Sequence, residues 1–161
     1  MKILKQSIVF FIGCFVFNNL ALAETVNITG TAYGSTISTE ETELSDGNFK
    51  YINLDHSIWV QEGMPEGYPS MASADCRTTG LRSSDYVNLG SSWTCTITDI
   101  DGDGFINVGS DVKPDWSGCN YETVAGWGKY AGISQSGSCA FAGNISATDW
   151  MLKWAGEFTT P

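Results

Sequence analysis

The chain has 161 residues, with 18 acidic against 8 basic side chains and a single histidine, for a formal net charge of −10. That length suits one domain around one core. An acidic surface repels nucleic acid and anionic lipid alike, so neither is expected as a partner.

Lys2 and Lys5 are the only charges before Glu24. An apolar run from Ile8 to Phe17 follows, then Ala21-Leu22-Ala23, small residues where a signal peptidase cuts. Residues 1–23 therefore read as a secretory signal peptide, and residues 24–161 as the exported domain, destined for the periplasm or the extracellular space. The run is too short to span a bilayer, and no later stretch is long and apolar enough to insert. "FIGC", Phe11–Cys14, loosely resembles a lipoprotein cleavage box, but too few residues precede Cys14 and apolar residues still follow it.

From residue 24 onward, apolar residues alternate rather than recur at helical spacing. "TVNITGTAY", Thr25–Tyr33, is rich in β-branched residues, and Ser35–Asp46, polar and acidic, reads as a long loop. In "FKYINLDHSIWV", Phe49–Val60, Ile52, Leu54, Ile58 and Val60 share one parity with His56, while Phe49, Tyr51 and Trp59 share the other. The aliphatic parity is expected to face the core, taking His56 with it. His56 is the chain's one natural general base near neutral pH. Its neighbours Asp55 and Ser57 point to the opposite face of the strand, so it reads first as a core or lumen histidine and only weakly as a catalyst.

Short strand-like segments continue as "ADCRTTGL", "WTCTIT", "GFINVGS", "NYETVAGW", "SCAFAG" and "WMLKWAGEF", separated by breakers such as Met64-Pro65-Glu66-Gly67 and Ser83-Ser84-Asp85. "SATDWMLKW", Ser146–Trp154, is compatible with a short capped helix, but a strand aligns Trp150, Leu152, Trp154 and Phe158. Many short strands and few helices mean an all-β sandwich or closed barrel. Once Cys14 leaves with the signal, Cys76, Cys95, Cys119 and Cys139 remain. An even number in an exported chain without a C-x-x-C implies two disulfides, in any of three pairings. The two sequential pairings would each close a loop of about twenty residues.

"TITDIDGDGFINVGSD", Thr96–Asp111, places Asp99, Asp101 and Asp103 in the first ligand positions of an EF-hand, with Gly104 for the sharp turn. The twelfth position holds Ser110 instead of a bidentate Glu, and the flanks are β-branched or broken by Pro114. The stretch therefore reads as a hairpin turn whose carboxylates satisfy local amides, with weak calcium binding as the alternative. No other cofactor is implied. Among the six tryptophans, Trp116 and Trp127 sit nearest loops and are candidate ligand contacts, together with Tyr130. Asn27-Ile28-Thr29 and Asn144-Ile145-Ser146 match glycosylation sequons, which matter only in a eukaryotic host.

"GWGKYAGISQSGS", Gly126–Ser138, resembles a stretch of small bacterial barrels related to allene oxide cyclase and dirigent proteins, a calycin-like group of eight-stranded antiparallel barrels. "DCRTTG", then "TCTITDIDGDG", then the closing "KWAGEFTTP" agree in order, so that the resemblance spans about Ala74 to Pro161. It implies a single closed antiparallel barrel of about eight strands. It also implies that Cys76 and Cys95 are the family's own pair, leaving Cys119 and Cys139 as an added one. No catalytic residue of the plant enzymes maps onto the chain. Without the family, Gly126, Gly132 and Gly137 read as bends or bulges. Lys129 and Tyr130 read as strand neighbours, with Tyr130 inward and Lys129 in water.

Three functions fit these observations. The first is a non-enzymatic exported barrel that binds a small apolar molecule or acts structurally. The second is a cofactor-free cyclase or isomerase working in the lumen. The third is a calcium-assisted glycan binder. The state of the lumen, open or filled, separates them best.

Overall fold

The computed structural model describes residues 23–111 and 117–161. The proposed signal segment and Trp116 thus lie outside the described residues, except for Ala23. Eight strands follow one another: β1 Thr25–Glu43, β2 Phe49–Glu62, β3 Met71–Arg82, β4 Asn88–Thr98, β5 Gly104–Asp111, β6 Cys119–Trp127, β7 Ser134–Asn144 and β8 Asp149–Thr159. Each pairs antiparallel with the next, and β1 pairs with β8, so the sheet closes into an up-and-down barrel. Closure gives every strand a paired neighbour on both sides. The disulfides are Cys76–Cys95 and Cys119–Cys139. Each joins directly opposed residues of neighbouring strands, so both pairings expected from the resemblance are present.

Two expectations about the early strands are corrected. Ser35–Asp46 is no loop. β1 runs on to Glu43 and pairs with β2 as far as Phe49, leaving only a tight turn at residues 44–48. Thr36, Ile37, Thr39 and Thr42 supply the β-branched residues of this arm. Its acidity is partly answered at Glu41, which takes a two-oxygen ion pair from Arg82.

The parity of β2 is also reversed. Tyr51, Asn53, Asp55, Ser57, Trp59 and Gln61 face inward, whereas Leu54, His56 and Ile58 are exposed outside. The reason lies in the neighbours. Tyr51 stands opposite Gly80 and Trp59 opposite Ala72. Large rings beside small partners fill a narrow lumen better than a row of branched aliphatics would.

Ser146–Trp154 resolves in favour of the strand. β8 begins at Asp149, and Ser146 accepts hydrogen bonds from the Thr148 and Asp149 amides in the turn before it. Lys129 and Tyr130 are not strand residues but part of a 3-10 turn, Gly128–Tyr130, which tucks Tyr130 fully inside.

The core fills one end of the barrel. Ile28, Ile97, Phe105, Tyr130 and Phe158 are essentially inaccessible there. Tyr130 lies 5.0 Å from Phe105 and 5.3 Å from Tyr68, and Tyr68 lies 4.9 Å from Phe158, centroid to centroid. Tyr68 comes from the β2–β3 loop and donates its hydroxyl to the Lys129 carbonyl at 3.1 Å. These aromatic contacts seal the end where β2 meets β3, β4 meets β5 and β6 meets β7.

Candidate ligand-binding cavity

Above that floor the lumen is open. A cavity of about 210 Å³ reaches toward the end where β1 turns into β2 and β3 into β4. Both disulfides form part of its wall, beside Trp59, Trp93, Trp150 and Trp154.

The tryptophans are held by glycines on the next strand. Trp154 is register partner to Gly30, Trp150 to Gly34, and Trp93 to Gly109. A methyl group on any of these glycines would overlap the indole opposite. Each ring therefore lies across a bare stretch of backbone, packing one face on the wall and leaving the other toward the lumen. Tyr51 on Gly80 repeats the arrangement. Gly137, expected as a bend or bulge, is a point of close backbone approach, where a side chain would meet the Ala155 carbonyl, the Gly156 backbone and the Tyr121 hydroxyl. The rings also touch each other, with Trp59 5.8 Å and Tyr121 6.2 Å from Trp154.

Two carboxylates share this apolar space. Asp55 accepts a hydrogen bond from Thr36 Oγ1 at 2.7 Å, and Asp111 accepts one from the Ser91 hydroxyl. Burial pushes the pKa of Asp55 up, against the opposing hydrogen bonds of Thr36 and Trp150. It does the same to Asp111 against Ser91. Burial also pushes the Tyr51 phenol up to about 12, and the charges of Asp111 and Asp55 act in the same direction, placing both near this ring. Trp154 Nε1 and Asn53 Oδ1 are buried at the cavity without a hydrogen-bond partner among the described residues.

A buried carboxyl with a raised pKa destabilises the fold when it ionises. Its contribution is most favourable below the ordinary value of 3.8 and is lost as pH rises through the folded value. Asp55→Asn is therefore expected to melt higher than the wild type near neutrality, by about 2–4 °C. The gap should vanish as the pH falls below about 4. Melting curves across that range check it, and a gap that widens in acid would contradict the burial argument.

The acidic hairpin lies at the opposite, closed end. Asp99 Oδ1 accepts from the Asp101 amide at 2.8 Å and the Asp103 amide at 3.2 Å, which makes the turn. Lys129 folds onto it, with Nζ 3.0 Å from Asp99 Oδ2, 2.6 Å from Asp101 Oδ2 and 4.0 Å from Asp103 Oδ2. The Lys129 ammonium thus lies among the three carboxylates and not in water as expected. Trp127 Nε1 donates to the Gly102 carbonyl at 2.9 Å, and the Lys129 amide donates to Asp103 Oδ2 at 3.2 Å. Gly128, at φ +60°, sits so close to Asp103 that a side chain there would collide with the carboxylate. The acidic turn and the "GWGKY" stretch are one docked unit. Burial would raise the Asp99 pKa, but hydrogen bonds from Lys129 and the Asp101 amide outweigh it and hold the carboxyl below its ordinary value.

Calcium must displace an ammonium ion to enter this turn. Calcium up to about 1 mM, the range of weak extracellular modules, is expected to leave the melting temperature unchanged. Lys129→Met should lower it at pH 7. Because the Asp99 pKa is depressed, that loss should shrink as pH falls below about 4 and the carboxylates protonate. Saturable stabilisation of the wild type at micromolar calcium would refute the ammonium's role.

Among solved structures, the chain matches a pterocarpan synthase dirigent protein with a TM-score of 0.54 and 8% sequence identity, over 99% of this chain and 97% of that one. The fold is that of a dirigent-like barrel. No family model and no curated protein sequence matches the chain. At 8% identity the likeness carries architecture and not chemistry.

Within the dirigent-like barrel the residues singled out from sequence separate. Tyr130 is in the floor, and Trp127 is exposed against the acidic hairpin, away from the cavity. His56 is on the outer wall, its Nδ1 2.7 Å from Asp75 Oδ1, with the strand between it and the lumen. Asp55 and Asp111 were missed. The signal for Asp55 was present in the alternation of β2, once the ring-bearing parity is taken as the inner one. Among the described residues no helix is long and apolar enough to cross a membrane. The two disulfides fit an oxidising compartment.

Proposed function

We propose that this protein is an exported, non-enzymatic binder of a small and largely apolar molecule, held in the open half of the barrel. The observation that carries this reading is the cavity of about 210 Å³ walled by four indoles and capped below by packed aromatics. By proportion with a 150 Å³ cavity that holds benzene, it encloses roughly eight non-hydrogen atoms, and its open mouth leaves a slightly larger ring system free to protrude. Trp154 Nε1 and Asn53 Oδ1 offer a donor and an acceptor to orient a hydroxyl or carbonyl on the ligand. Cleavage after Ala23 and release into the periplasm or the medium complete the proposal, supported by the disulfides and the basic-apolar-small pattern of residues 1–23.

The test is calorimetric titration of 2-naphthol, a neutral ring alcohol, into the disulfide-bonded protein. One site of sub-millimolar affinity, with quenching of tryptophan emission, is expected. The absence of heat and quenching in folded protein would defeat the reading. A second reading, a cofactor-free isomerase or cyclase, is favoured by one observation: Asp55 and Asp111 are carboxyls kept toward their neutral form inside the lumen, suited to general acid work. Chemical change in the bound probe or its analogues would favour it.

A further inference from the structure

We propose that the cavity selects a small tertiary or quaternary ammonium ion, held by the indole faces and by the joint negative charge of Asp55 and Asp111. This rests on the reading of the cavity as a ligand site and names the ligand's charge. Three observations carry it.

The first is the sign of the lining. Among the described residues, Asp55 and Asp111 are its only ionisable side chains of the carboxylate, amine, guanidine or imidazole kind. Among the described residues Arg82, a buried base at the end of β3, is already used. Its Nη2 lies 2.7 and 2.8 Å from the two Glu41 oxygens, and its guanidinium lies 4.4 Å from the Phe49 ring and 4.1 Å from the Tyr86 ring. Arg77, Lys153 and His56 are exposed on the outer side of the wall.

The second is the presentation of the rings. Seated on Gly30, Gly34 and Gly109, the indoles of Trp154, Trp150 and Trp93 turn a face to the lumen from two parts of the wall, the β1–β8 seam and the β4–β5 seam. Trp59 adds a fourth indole. Indole faces attract a cation through the ring quadrupole, most strongly where water is excluded. An alkylated ammonium fits such a box better than a primary amine or a metal ion. It disperses its charge over methyl groups and needs few oxygen ligands.

The third is the state of the carboxylates. Each is answered by neutral donors, Thr36 and Trp150 for Asp55 and Ser91 for Asp111, and among the described residues no cation lines the cavity beside them. Burying a charge without a counter-charge is costly. Burial holds both groups toward the protonated form, and a cation entering between the rings would supply what the wall lacks.

The experiment compares choline with 3,3-dimethylbutan-1-ol, the same shape with carbon in place of the charged nitrogen. Both are titrated calorimetrically at about 0.15 M salt, which screens general attraction to the acidic surface. Choline is expected to bind at least tenfold more tightly than the alcohol. In Asp55→Asn/Asp111→Asn, verified as folded by its melting curve, the ratio should fall to about one while 2-naphthol still binds. Should the double variant fail to fold, each single variant must lose at least threefold in the ratio. Equal binding of choline and the alcohol to the wild type overturns the inference but leaves an apolar ligand site. A ratio that persists in the aspartate variants overturns it too, by placing the cation elsewhere. Failure of choline, the alcohol and 2-naphthol alike overturns the cavity reading together with it.

Discussion

Replacing Cys119 and Cys139 by alanine is expected to destabilise the protein more than the same change at Cys76 and Cys95. A chain-entropy estimate alone gives nearly equal losses, about 3 kcal/mol each, because the sequence separations are 20 and 19. The seams they clamp are not equal. β3 and β4 are paired at ten positions, whereas β6 and β7 are paired at four, from Cys119 opposite Cys139 to Glu122 opposite Ser136. The β6–β7 seam is the shortest in the described barrel, and the disulfide closes one end of it. Without it, β6 and β7 have few bonds with which to resist parting, and parting exposes two strand edges. Loss of Cys76–Cys95 should lower the melting temperature by roughly 10 °C in a domain of this size. Loss of Cys119–Cys139 should exceed that and should also speed amide exchange in β7 selectively. Equal losses, with exchange unchanged at β7, would show that the seam length does not matter.

Much of the fold was legible because strands write themselves into sequence at period 2. The β8 alignment of Trp150, Leu152, Trp154 and Phe158 and the breaker positions at Met64–Gly67 and Ser83–Asp85 lie where the pattern places them, and the Cys76–Cys95 seam lies where the family resemblance places it. The site was less legible because alternation fixes two faces without saying which is inside. In a sheet packed on another layer the aliphatic face is the buried one. In a narrow closed barrel the inner face needs few, large rings and small partners, and the aliphatics of β2 are left outside. The paired glycines that would have shown this lie one strand away from their tryptophans, at separations from 16 residues for Trp93 and Gly109 to 124 for Trp154 and Gly30. Only the strand register brings them together. The acidic stretch misled for a related reason. Its cation is Lys129, 26 residues beyond Asp103 and part of a turn that reads as strand.

Those glycine seats lead to the second large effect, a contrast between Gly34→Ala and Gly30→Ala. Neither position has left-handed backbone, so alanine is conformationally acceptable at both. At Gly34 the three atoms nearest the added methyl all belong to the ring of Trp150, which is half-buried near the mouth and has the open lumen beside it. The ring can yield by swinging off the wall into the cavity, giving up its hydrogen bond to Asp55. The cost should stay near 1 kcal/mol, at the low end for overpacking, but the ring then occupies the ligand's space. Binding of 2-naphthol is expected to weaken tenfold or more. At Gly30 the methyl meets the Trp154 ring and also lies 2.6 Å from the Val60 carbonyl oxygen, a backbone atom of β2. Trp154 is itself buried against Trp59 and Tyr121, and turning its ring would still leave the methyl against the Val60 carbonyl. Strand β1 must move instead, at a cost on the order of 3 kcal/mol. Urea denaturation gives the two stabilities and calorimetry the two affinities. The wall is built as described only if Gly34→Ala keeps most of the stability and loses the binding. If Gly34→Ala binds as the wild type does, the Trp150 ring does not border the ligand's space. If it costs as much as Gly30→Ala, the ring is not free to leave its seat, and the open half of the barrel is more rigid than its cavity implies.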